Sequence, residues 1–139
     1  MGTLRRPLVL LTFATFSAGA LAAPAFAQSW KTLDVSRQLR DTTEHSIRVR
    51  YPVGRITLRA TTDPVIYAMH LRYDEDRMKP LHKYDAEMHR VTLGFDGDDN
   101  HWNNRKNLDE SSLDLELSSV VPLDLDLRLG ATEARLNVG

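Results

Sequence analysis

The chain has 139 residues, 18 Lys and Arg against 19 Asp and Glu, no Cys and a formal net charge of −1. That length supplies one hydrophobic core rather than two. The lack of Cys removes disulfides, thiolate chemistry, cysteine-ligated metals and a cysteine-linked lipid anchor; the near-neutral charge disfavours nucleic acid, whose phosphates call for a basic surface.

The first predicted element is a leader. Arg5 and Arg6 form a positive start, Leu8 to Ala23 is apolar and uncharged, and "APAFA" ending at Ala27 is an A-x-A cleavage signal. Thr12, Thr15, Ser17 and Gly19 interrupt an apolar run barely long enough to cross a bilayer, which favours a cleaved signal peptide over a membrane span. The arginine pair lacks the rest of a twin-arginine signal, so ordinary secretion is expected. Residues 1–27 are therefore predicted to be removed, leaving a periplasmic or extracellular chain over 28–139 with no membrane span. Two of the 18 basic residues leave with the leader, which makes the remainder acidic.

From there period two dominates. Leu33, Val35 and Leu39 share one parity, as do Ile47, Val49 and Tyr51. So do Val65, Tyr67, Met69, Leu71 and Tyr73, then Val91, Leu93 and Phe95, and then Leu113, Leu115 and Leu117. Such alternation predicts strands with one face buried and one wet, and no stretch sustains a helical period. Leucine is a good helix former, yet on a helix Leu113 to Leu129 would scatter around the axis, whereas on strands they fall on one side. Pro122 breaks an otherwise overlong run, predicting two strands over about 112–119 and 122–129. The segment 74–83 is polar, with Pro80 inside it. "KYDAEMHRVTLGFD" reads as a hairpin, and a long polar loop follows. The fold class is all-β, built from antiparallel strands as a sandwich-like or solenoid-capping domain.

One internal similarity stands out. In "VRYPVGRITL" the apolar parity is odd through Tyr51 and Val53 and even from Ile56; in "LRLGATEARL" it is odd through Leu129 and even from Ala134. Each switch is a step of five around a glycine, Gly54 or Gly130, as a tight turn or bulge requires. The two strand-glycine-strand units read as members of a repeated series. "TEARLNVG" is then a strand paired on one side only, with an edge open to self-association.

Candidate chemistry is sparse. Asp96, Asp98 and Asn100 have the spacing of a calcium loop, but His101 replaces the required glycine and Asn107 the closing Glu. His82, His89 and His101 have no zinc-ligand spacing, so no metal is expected. Asp114 with Glu116, and Asp124 with Asp126, are carboxylate pairs on one strand face, but on the outward face, where no pocket is implied. Ser111, Ser112, Ser118 and Ser119 lack a nucleophile context. Trp102 stands alone among polar residues; with Asn103, Asn104 and Arg105 it is the candidate ligand-binding set, able to stack on a sugar or to fold back onto the core rim.

"IRVRYPVGRITLRATTDPVIYAMHLRYDEDRMKPLHKYD", with "VTLGF" and "LDLELSSVVPLDLDLRLGATEARLNVG", resembles the N-terminal domain of bacterial toast-rack proteins, envelope β-proteins related to adhesin-like proteins and regulators of the cell-wall stress response. The matching positions are Tyr51 with Gly54, Tyr67, Tyr73 with Asp74, Pro80, Tyr84 with Asp85, and Val121 with Pro122 leading to Gly130. The resemblance implies a cap for a C-terminal stack of short strands, and the chain is expected to break off where that stack begins. Because the shared residues are turns and core positions, they imply a fold more than an activity. The reading is a non-catalytic exported β-domain, a structural or interaction module of the envelope, without cofactor, whose partner is an envelope protein or its own C-terminal β-stack. The alternative is a cell-wall polysaccharide-binding module using the Trp102 loop; an exported hydrolase is the remote third.

Overall fold

The computed structural model describes residues 29–96 and 110–138. Seven strands make it up: β1 Trp30–Gln38, β2 His45–Thr61, β3 Val65–Asp74, β4 Lys79–Asp85, β5 Arg90–Asp96, β6 Ser112–Ser118 and β7 Leu123–Asn137. The all-β expectation stands. β4 begins in the stretch read as polar, with Pro80 as its second residue, and ends in the first arm of the hairpin read from "KYDAEMHRVTLGFD", whose second arm is β5; an edge strand tolerates proline because one side needs no N–H donors. β7 runs on through Gly130 instead of stopping before it.

The sheet order is β1-β3-β6-β2-β5-β4, with β7 on β2. The antiparallel expectation needs correction. β1–β3, β3–β6 and β4–β5 are antiparallel, but β2 pairs in parallel with β5, β6 and β7. Period two reports which face a side chain occupies and carries no information on strand direction.

β2 organises the fold. Its first half, Ser46–Arg50, pairs with β5, and its second half, Arg55–Thr61, pairs with β6. The sheet thus forks beside the segment 51–54 and curls into a half-barrel. Ile47, Val49, Tyr51, Ile56 and Leu58 of β2 are fully buried in its concave side, with Leu71, Leu93 and Leu113 from the flanking strands. Each such aliphatic burial contributes roughly 1.5 to 3 kcal/mol. At Gly54 the backbone takes a φ of 111°, and the buried parity passes from odd to even, so both halves of a bent strand face one core.

Side chains bridge the two arms. The Tyr67 hydroxyl of β3 lies 2.6 Å from Nε2 of His82 on β4, and the Arg37 guanidinium of β1 sits 3.2 Å from the Tyr84 ring centroid. Aspartates set the connections: Asp41 Oδ1 accepts from the Thr43 N–H, Asp74 Oδ1 from that of Asp76, and Asp85 Oδ1 from those of Glu87 and Met88. These are turns in which a short carboxylate replaces a backbone acceptor.

Candidate functional site

Pairing of β2 with β7 places the two halves of the internal similarity side by side. Tyr51 stands beside Leu129 and Ile56 beside Ala134, so both parity switches fall at one level of the sheet. Between them Gly130 faces Pro52, and a Cβ on Gly130 would collide with the Pro52 carbonyl oxygen. Gly130 is thus explained by close approach of backbones, whereas Gly54 is explained by left-handed backbone with Ser111 packed against it. Pro122 immediately precedes β7, and its carbonyl accepts the His45 N–H at 3.2 Å.

The outward face of this pair is a charge ladder. Arg48 Nε lies 2.9 Å from Asp126 Oδ2, Arg55 Nε 3.5 Å from Glu133, Arg128 Nε 3.6 Å from Asp126 and Arg135 3.0 Å from Glu133. All these groups are at least a third exposed, so each pair contributes only a few tenths of a kcal/mol to about 1. On the inward face Leu123, Leu125 and Leu127 pack against the core edge.

Among the described residues β7 pairs with β2 alone, which leaves its other edge open. β1 and β4 are edges too, but both carry protection. β1 holds Lys31 and a register shift at Arg37/Gln38; β4 is seven residues long and contains Lys79, Pro80 and Lys83. Lysine, proline and bulges are the devices that keep sheet edges from pairing with other chains. β7 has 15 residues without a Lys or Pro, and it exposes Leu136 to 55%, with Val138 just beyond at 60%. A long edge of unpaired N–H and C=O groups flanked by apolar side chains is a template for an added strand.

The outward face of β1, β3, β6 and β2 carries a second feature, absent from the sequence expectation. A groove of about 350 Å³ is lined by Asp34, Ser36, His70, Asp114 and Glu116 among others. His70 Nδ1 lies 2.5 Å from Asp34 Oδ1, and Arg59 holds Glu116 at 3.1 Å. His70 stands beside Asp34 on one side and Asp114 on the other, while Ser36 stands beside Ala68. Asp34 is hydrogen-bonded to His70 and Glu116 is paired with Arg59, neither of them buried, which describes a cross-strand ladder rather than a general acid held neutral by burial. Asp124 is likewise exposed on β7. Among the described residues no three His, Asp or Glu side chains converge as metal ligands. Nor does any helix there have the length and apolarity to cross a membrane.

Inside the core, burial pushes the Tyr51 hydroxyl up to about 12 and likewise raises Tyr67. Partial burial, aided by the Arg37 charge, holds His82 below its ordinary 6.5. Neither tyrosine lines the groove. Trp102, Asn103, Asn104 and Arg105, and the leader over 1–27, lie outside the described residues.

Comparison with solved structures finds the fold in a candidate cell adhesion protein from Clostridium sporogenes ATCC 15579, with a TM-score of 0.60 and 18% identity over 79% of this chain. The match spans 57% of that protein's length. No curated protein matches. The model of the N-terminal domain of toast_rack, DUF2154, matches residues 26–139. That span takes in every strand described above, and the chain belongs to the toast_rack N-terminal domain family.

Proposed function

We propose that the chain is a non-catalytic, exported module of the bacterial envelope that works by strand addition at the open edge of β7. The observation that carries this reading is the contrast between edges: β1 and β4 hold lysines, a proline and a register shift, whereas β7 offers 15 residues with none of these but its glycine-centred parity switch. Export is supported by the Arg5, Arg6 and A-x-A pattern before Gln28. An envelope role is supported by the family and by the fold shared with a candidate adhesion protein. The partner is a strand of an envelope polypeptide, a C-terminal β-stack included.

A photoreactive amino acid at Leu136 tests the reading in intact cells. It should give covalent protein adducts, and one at Ser36, on the outward face of β1, should give none. Adducts from Ser36 with none from Leu136 would move the interaction surface to the groove and overturn the reading.

A further inference from the structure

Resting on that reading, we infer that the β7 edge takes a second copy of this chain, its β7 running antiparallel about a two-fold axis between Gly130 and Ala131. Symmetry limits the choices. A two-fold axis perpendicular to the sheet keeps the leucine face of both copies on one side, whereas a two-fold axis along the strand would turn one copy over and set its leucines against the partner's charges. For a second copy sharing this edge, antiparallel pairing follows.

The parity switch at Gly130 makes the strand self-complementary. Before it the odd residues Leu125 and Leu127 share the core side with Ile47 and Val49 of β2; after it the even residues Ala134 and Leu136 share that side with Ile56 and Leu58. Antiparallel pairing about the stated axis sets Leu125 against Leu136 and Leu127 against Ala134. On the other face it sets Asp126 against Arg135 and Arg128 against Glu133. Every one of these four pairs is apolar on apolar or acid on base, and the axis meets the two small residues Gly130 and Ala131. A strand alternating regularly would keep its faces together only by pairing odd residues with odd, whereas the switch at Gly130 requires odd against even across the axis, and a strand with one sign of charge would repel its copy. The glycine that lets β7 approach Pro52 also sets the register of the proposed dimer.

Sedimentation of the processed chain from Gln28 should show a reversible monomer–dimer equilibrium. Arg128→Glu and Glu133→Arg, both at exposed positions, should each weaken it by about tenfold, because each places like charges together twice per dimer; the double variant should restore it to within a few-fold of the parent. With no native cysteine in the chain, Asp126→Cys mixed with Arg135→Cys should give oxidised dimers, and either variant alone far fewer. A chain monomeric at every concentration, a double variant no better than the singles, or single cysteine variants that link as readily as the mixture would each overturn the inference. If Leu136 photo-adducts then contain a different polypeptide, the proposed function stands and the second copy falls; if there are no adducts, both fall.

Discussion

The hydroxyls of Tyr51 and Ser111 lie 3.0 Å apart in the buried bend of β2, and Ser111 also donates to the Val53 carbonyl at 2.9 Å. The single serine proton is spent on Val53, so Tyr51 is the donor in their shared bond. Ser111→Ala strands the buried tyrosine hydroxyl and should cost about 1 to 3 kcal/mol; Tyr51→Phe leaves the serine bond in place and should cost about 0.5 to 1.5 kcal/mol. Urea unfolding of the two variants checks the order, and an equal or reversed ranking would show that the hydroxyl pair is not what holds the bend.

Gly54 and Gly130 should respond differently to alanine. At Gly54 a side chain meets both φ of 111° and the Ser111 hydroxyl and carbonyl, so Gly54→Ala should lower global stability by about 1 to 3 kcal/mol. At Gly130 the obstacle is the Pro52 carbonyl of the neighbouring strand. Gly130→Ala should therefore loosen β7 from β2, with faster amide exchange over 131–137 and unchanged exchange in β3 and β6. Uniform loss of protection across the sheet would contradict that localisation.

Stability should fall off on both sides of neutrality. His82 titrates below 6.5 in the folded chain, so the unfolded chain binds the proton first; its contribution is whole above pH 6.5 and is lost as pH falls through the folded value. The sign is compatible with its contact, since Nε2 can accept from the Tyr67 hydroxyl only while the ring is neutral. Tyr51 titrates near 12 rather than 10, so its contribution is present below pH 10 and about 2 to 3 kcal/mol is lost by pH 12. His82→Gln should flatten the acid limb of a plot of denaturation midpoint against pH, and Tyr51→Phe should flatten the alkaline limb.

Arg37 and Tyr84 join the free edges of the curl with the guanidinium on the ring. A double-mutant cycle with Arg37→Ala and Tyr84→Leu should give a coupling of about 0.5 to 1 kcal/mol. Zero coupling would mean that the Arg37–Tyr84 contact does not help to hold β1 against β4.

The strands were legible in the sequence because the pleat forces side chains to alternate whatever their surroundings. The matched switches at Tyr51–Ile56 and Leu129–Ala134 were legible for the same reason, and the structure sets them side by side. Only the end of β4 was legible, as the first arm of the hairpin in "KYDAEMHRVTLGFD"; its start, a short edge segment with Pro80 and His82, shows little apolar alternation. Parallel pairing along β2 was hidden because no hairpin marks it. The role of Gly130 was hidden too: its reason is the backbone of Pro52, 78 positions earlier in the chain, and no local pattern records a neighbour so distant. The groove at His70 arises from cross-strand neighbours on β1 and β6, which only the pairing brings together.

The central position of β2 also governs the order of folding. β2 is made early, yet one of its edges is filled by β5 and β6 and the other by β7, with Arg48 and Asp126 separated by 78 positions. The β4–β5 pair can close as soon as it is synthesised, but β2 has both edges paired only once β7 has been made. Distant parallel pairings of this kind make folding slow, because loop entropy is lost before contacts repay it. A chain whose central strand keeps one edge open until β7 arrives stays unfolded, and so threadable, for longer.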